Sequence, residues 1–304
     1  MTIEQILDDI RTDRVKKAIL DADMGIEMDD QYALAHCIGS DKIDLLSVNA
    51  ATFGKGATGD YVAGMEASYR EIERVLTVCG RMDIPHYRGA TRPIMFDENN
   101  GPVDSPAAQN IIKTVRESDE IVYVLSTGCC TNIVSACLMD PTIKDNMCVI
   151  WLGCNCFDRK EGLDGECNLE MDYSAGQLLL GLDIPLVLLP AYDHGTMVLE
   201  IVRDDLNRYL PGDSAASVFF RDTLPDQFAD EPFYVNGWWR VLFDVAAPAV
   251  LTVPYAFEFR IIPAPVITDD KFYAFDKTRH KIIYMDSINR EITFDDTFAC
   301  IGRI

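Results

Sequence analysis

Short apolar runs of strand length recur along the chain, separated by segments with helical spacing. KAILDAD, IDLLSVNAAT, IPHYRG, EIVYVLSTG, NMCVIWLG and IPLVLLPA are rich in aliphatic and β-branched residues and predict six strands. Between the second and third, Met65, Tyr69, Ile72, Leu76 and Cys79 recur at steps of three and four, which puts one apolar stripe on a helix. A helix beginning near Asp29 follows the first strand, and SPAAQNIIKTV, CTNIVSACLMD and DYSAGQLLLGL predict three more. This alternation predicts an α/β fold: an open, mostly parallel, Rossmann-like sheet flanked by helices. Beyond about residue 195 the pattern changes to longer helical stretches, then FYVNGWWRVLFDVAAPAVL, then strand-like KFYAF and KIIYMD. These predict a helical lid region and C-terminal strands. No Gly/Ser/Pro-rich linker divides the chain, so residues 1–304 are expected to form a single domain.

Composition narrows the partners. With 49 acidic against 27 basic residues the formal charge is −22, which argues against a nucleic-acid backbone or an anionic membrane as the main partner. The longest apolar run, around IPLVLLPAY, is strand-sized and predicts no membrane span. MTIEQILDDIRTDRVKK has neither the layout of a secretory signal nor that of a transit peptide, so the ten cysteines are expected to be reduced and the location cytoplasmic. Cys129 and Cys130 are adjacent and Cys154 and Cys156 lie one residue apart. Neither pattern has the two-pair spacing of a zinc site, so buried apolar thiols are the expectation.

The densest chemistry is DADMGIEMDDQY, which places Asp21, Asp23, Glu27, Asp29 and Asp30 where the first strand hands over to a helix. Acidic residues at a helix N-terminus complement its dipole, which accounts for Asp29 and Asp30 but not for Asp21 and Asp23. A hard divalent cation would relieve the repulsion, with Gly25 permitting the sharp turn. The carboxylate cluster with one further carboxylate from a distant segment suits Ca²⁺, although DxDxG followed by DD is equally compatible with a phosphatase-type Mg²⁺ site. In an open parallel sheet, ligands bind at the carboxyl ends of strands, where this cluster lies.

DADMGIEMDDQYAL resembles the N-terminal aspartate motif of the nucleoside hydrolases of the inosine-uridine-preferring type. VLSTGCCTNIVSACLMDPTI is similar to that family's strand, Thr-Gly turn and Thr-Asn helix, GECNLEMD to its Glu-x-Asn segment, and LFDVAAPAVL to its late Asp-bearing helix. The resemblance covers roughly residues 17 to 300 and implies Ca²⁺-dependent hydrolysis of a ribonucleoside to base and ribose. It implies that Asp23 touches the calcium and activates the attacking water, that Asp30 and Asp244 are carboxylate ligands, and that Thr127 offers its carbonyl to the metal. Asp29, Glu166 and Asn168 would hold the ribose hydroxyls. Relatives are commonly dimers or tetramers, so a homo-oligomer is expected.

The chain departs from the family pattern near the leaving base. Phe243 stands where some members have a proton-donating histidine, Lys55 in FGKG stands roughly where an asparagine is usual, and Glu27 occupies the inserted position of the motif. His194 in AYDHG is the histidine of most interest, and Phe233, Tyr234, Trp238 and Trp239 are candidates for stacking on a base or for the core. Two other readings compete: a riboside-binding relative without turnover, and a Mg²⁺-dependent phosphohydrolase. The second is the weaker, because the sequence has no phosphate-cradling loop and no basic cluster.

Overall fold

A strand buried on both faces must be apolar throughout, and β1 (Lys16–Ala22) is buried along its length apart from partly exposed Lys17. The computed structural model describes residues 1–54, 59–94, 101–228 and 238–304. β2 (Ile43–Ala50), β3 (His86–Tyr87), β4 (Val122–Ser126), β5 (Met147–Leu152) and β6 (Leu186–Leu189) extend a parallel sheet around β1. β7 (Glu200–Val202) and β8 (Trp239–Val241) form a separate antiparallel ribbon. After β9 (Phe257–Pro263), a second ribbon joins β10 (Val266–Ile267) to β11 (Tyr273–Ala274), and β12 (Lys281–Ile288) returns to the main sheet. The order of that sheet is β3-β2-β1-β4-β5-β6-β12-β9, parallel except for the β12–β9 pair.

The helices are α1 (Ile3–Ile10), α2 (Asp29–Gly39), α3 (Tyr61–Val78), α4 (Pro106–Glu117), α5 (Thr131–Met139) and α6 (Cys167–Met171). They continue with α7 (Tyr173–Gly181), α8 (Arg203–Tyr209), α9 (Ala215–Val218), α10 (Leu224–Gln227), α11 (Ala246–Thr252) and α12 (Arg290–Ile301). The period-two alternation of the strands divides their side chains between two cores. Ile19, Val124, Val149 and Leu188 enter one; Leu20, Leu125, Ile150 and Leu189 enter the other. None of the described helices is long and apolar enough to cross a membrane.

Three expectations change. IPHYRG contributes only His86 and Tyr87, at the sheet edge, where Pro85 can accept from Val48 N–H at 2.9 Å but has no N–H to extend the ladder. KIIYMD forms a C-terminal strand as expected, but inside the sheet, where β12 lies between β6 and β9. Between residues 196 and 228 the helical pieces are short, not long. The run 215–227 is interrupted by a π-helical turn at Phe219–Thr223. Pro225 has no N–H for the Arg221 carbonyl. That oxygen accepts from Arg203 Nη1 at 3.4 Å, and the Tyr32 hydroxyl donates to the Phe220 carbonyl.

Chain order determines where a ligand can enter. From β1 the sheet grows one way through β2 and β3 and the other way from β4, so β1 and β4 flank the switch point. Connections leave in opposite directions there, which opens a crevice beyond the carboxyl ends of the two strands. Asp23 and Thr127 are each the first position past those ends: β1 stops at Ala22 and β4 at Ser126.

Candidate active site

Gly25 adopts φ +108°, a conformation costly for any residue with a Cβ, and so turns the chain from β1 towards α2. Asp29 and Asp30 then open α2, in the first turn where the helix dipole favours negative charge. From the neighbouring strand, Thr127 N–H donates to the Asp21 carbonyl at 2.9 Å, and its hydroxyl donates to Asp30 Oδ1 at 2.7 Å. Gly128 permits this approach: a Cβ there would lie 3.0 Å from Asp23 Cβ and 2.9 Å from Ala51 Cβ.

Asp244 arrives from far along the chain, in the 3₁₀ turn Phe243–Val245 that leads into α11, and its N–H donates to Asp29 Oδ2 at 3.3 Å. Asp29, Asp30 and Asp244 each offer one carboxylate oxygen within 4.8 Å of the others, and all three are buried. Burial pushes the Asp29 and Asp30 carboxyls up to about 7, reinforced for Asp29 by the charge of Asp30. Burial first, and the neighbouring carboxylates second, hold Asp23 and Asp244 well above the usual range. A set of buried oxygen donors with no nitrogen or sulfur among them fits a hard divalent cation.

The GECNLEMD segment contributes two helix caps. Glu166 caps α6: its Oε1 accepts from Asn168 N–H at 3.0 Å and its Oε2 from Leu169 N–H at 2.8 Å and Cys154 N–H at 2.7 Å. Burial lifts its carboxyl to about 7, against the pull of those three donors. Asp172 caps α7 and accepts from the Thr131 hydroxyl at 2.6 Å. Asn168 Nδ2 donates to the carbonyls of Thr127 at 2.8 Å and Leu152 at 2.9 Å, tying together the ends of β4 and β5. Asp21 is also buried and accepts from Asn132 Nδ2 at 3.0 Å, which makes it a support of the turn.

These groups line one cavity. Asp23, Glu27, Asp29, Asp30, Thr127, Glu166, Asn168, Phe243 and Asp244 all line it, so these residues singled out in the sequence meet at one place. His194 does not: it is exposed, its nearest recorded carboxylate is Asp158 at 3.9 Å, and it is not a lining residue. It follows β6 in a turn whose Asp193 has φ +62°. Lys55, Phe233 and Tyr234 lie outside the described residues. Trp238 packs against the core beneath the guanidinium of Arg203 at 4.7 Å, and neither it nor Trp239 lines the cavity.

Tyr192, Cys167 and Ile26 line the cavity without having been singled out. Tyr192 follows β6 at its carboxyl end, so the strand-end rule applied to AYD would have found it. Its ring meets Phe243 edge-on at 6.1 Å, with Arg159 lying 4.7 Å from its centroid. Cys167 is the one exposed thiol; the other nine cysteines are buried and unpaired, as expected of reduced apolar thiols.

Residues 18–291 match the family model of the inosine-uridine preferring nucleoside hydrolases. The chain belongs to this family. Among curated relatives, the pyrimidine-specific ribonucleoside hydrolase RihA of Escherichia coli O1:K1 is 25% identical over 195 residues. The match spans 56% of this chain and 58% of the relative's length. RihA of Escherichia fergusonii is 26% identical over 191 residues, with the same coverage of 56% and 58%. A purine-preferring ribonucleoside hydrolase from Gardnerella vaginalis superposes with a TM-score of 0.76 at 18% identity, covering 94% of this chain and 98% of its own. The plant nucleoside hydrolase PpNRh1 gives 0.73 at 17%, covering 94% and 99%. These structures share the nucleoside hydrolase fold with this chain.

Proposed function

We propose that this nucleoside hydrolase family member cleaves the N-glycosidic bond of a ribonucleoside with water, releasing base and ribose, and that it uses Ca²⁺. The observation that carries the reading is the convergence of Asp23, Asp29, Asp30, Thr127 and Asp244 on one cavity at the switch point of the sheet. Bound among Asp23, Asp30, Asp244 and the Thr127 carbonyl, Ca²⁺ would offset their charge, orient the ribose diol and acidify nearby water. The Thr127 carbonyl keeps a lone pair for this role beside its bond from Asn168.

Asp23 takes the proton of the attacking water; a buried carboxylate with raised proton affinity is suited to that task. Asp29 and Asn168 hold the ribose hydroxyls. Glu166 uses three of its roughly four acceptor sites on backbone N–H groups, which leaves one for a hydroxyl. The cavity's carboxylates stabilise the positive charge that develops on the sugar as the base departs.

A phosphohydrolase reading has no support here: among the described residues no lysine, arginine or histidine lines the cavity to hold a phosphate. The test is ribose release from a nucleoside panel after treatment with chelator, then with Ca²⁺ restored. Release that stops with chelator and returns with Ca²⁺ is expected. Calcium-dependent binding without release would leave only a riboside-binding protein, and phosphate release from phosphorylated substrates would replace the reading outright.

A further inference from the structure

The sugar half of the cavity resembles a ribosidase site, whereas among the described residues its base half offers no good proton donor of the kind such a reaction ordinarily uses. A neutral purine or pyrimidine departs with a negative charge on nitrogen unless an acid supplies a proton, a contribution worth roughly 100- to 10,000-fold. All four histidines of the sequence are described, and none lines the cavity. His36 is buried against Asp296, His86 sits on the edge strand β3, His280 precedes β12 and His194 is exposed. Phe243 has no proton to give. Burial and the charges of Glu27 and Glu166 hold the Tyr192 phenol above its ordinary range, making it a weak donor.

What the cavity offers instead is negative charge and aromatic surface. Asp23, Glu27, Asp29, Asp30, Glu166 and Asp244 all line it, and Glu27 stands outside the groups assigned above to the metal and the sugar. Glu27 is exposed at the end of the motif loop, and its charge acts on both Tyr192 and Cys167. Tyr192 and Phe243 meet edge-on and line the same cavity as Glu27, and aromatic rings in a carboxylate-lined cavity attract flat cations. Arg159 also lies against Tyr192, but it is paired with Asp193 at 3.4 Å and is not a lining residue.

We propose that the preferred substrate class is an N-riboside whose heterocycle carries a fixed positive charge, recognised by Glu27, Tyr192 and Phe243. Such a base needs no acid. The bond from C1′ to the ring nitrogen breaks, its electron pair neutralises the ring, and the base leaves uncharged. The water oxygen bonds to C1′ and its proton passes to Asp23, so the products are neutral base, ribose and one proton. Glu27 thereby acquires a role that the metal and sugar sites leave open. This inference rests on the ribosidase reading above.

The experiment measures kcat/KM with Ca²⁺ for nicotinamide riboside and 7-methylguanosine against inosine and uridine, each corrected for its uncatalysed hydrolysis. The charged pair should exceed the neutral pair by roughly 100-fold, the size of the missing acid's contribution. Glu27→Gln should lower kcat/KM for the charged pair about tenfold, chiefly through KM, and narrow the ratio. Neutral substrates cleaved as well as charged ones would overturn the substrate class and leave the ribosidase reading standing. Equal losses on all four compounds in Glu27→Gln would remove Glu27 from recognition. A roughly 100-fold loss confined to inosine and uridine in Lys55→Ala would identify an acid and overturn the inference. No ribose from any of the four would overturn both readings.

Discussion

Asp23, Gly128 and Phe243 each test a different part of the site. Asp23→Asn keeps the shape but removes the proton acceptor, so kcat should fall roughly 100- to 10,000-fold in steady-state ribose release. A retained rate would exclude Asp23 as the base. Gly128→Ala places a methyl group 3.0 Å from Asp23 Cβ and 2.9 Å from Ala51 Cβ, with no flexible side chain to yield. It should weaken Ca²⁺ binding in calorimetry while the far-ultraviolet circular dichroism stays near that of the parent. Phe243→His restores a donor beside the leaving base and should raise turnover on inosine and uridine; unchanged turnover would show that the missing acid does not set specificity. Legibility in the sequence varied in the same way. Asp23, Asp29 and Asp30 lie within one short motif and could be read from spacing, whereas Tyr192 belongs to no motif and is marked only by its place after a strand end.

At the level of elements, α2 is held at both ends. Its first turn carries Asp29 and Asp30, and near its other end His36 Nε2 meets Asp296 Oδ2 at 2.9 Å while Nδ1 meets the Thr297 hydroxyl at 3.1 Å. The Thr252 hydroxyl donates to the same Asp296 oxygen at 2.6 Å, so α2, α11 and α12 share one polar knot. Burial, the largest single influence, would raise the Asp296 carboxyl, but the hydrogen bonds from His36 and Thr252 and the charges of His36 and Lys42 together outweigh it and the net direction is down. A lowered acid stabilises the fold above its unfolded pKa, and that stability is lost as pH falls through the folded value. Asp296→Asn should therefore cost about 1–3 kcal/mol at pH 7 in denaturant titrations, with the difference from the parent shrinking at acid pH. A constant difference across pH would refute the linkage. The sequence marked α2 by its motif but not α12, whose apolar and polar positions alternate too irregularly to stand out.

For the whole molecule, the cavity's carboxylates oppose the fold when no cation is present. The Asp29 and Asp30 carboxyls, lifted to about 7, bind protons in the folded chain that the unfolded chain releases near 3.8. Their contribution is thus fully present below that lower value and is lost as pH rises through about 7. The melting temperature of chelator-treated protein should fall as pH rises from about 5 to 8, and the gain on adding Ca²⁺ should grow over the same range. A pH-independent gain would show that the cation binds elsewhere. The charge of −22 adds general self-repulsion to this local term.

The sequence by itself determined the α/β class, most strands of the parallel sheet and the acidic motif, because hydrophobic period and short-range spacing are local properties. Tertiary structure alone decided that β12 sits between β6 and β9, that His194 stays outside the cavity, and that Tyr192, Phe243 and Glu27 line it together. Those outcomes depend on which strand ends meet at the switch point. Residues far apart in the chain come together there only because packing the sheet brings them together.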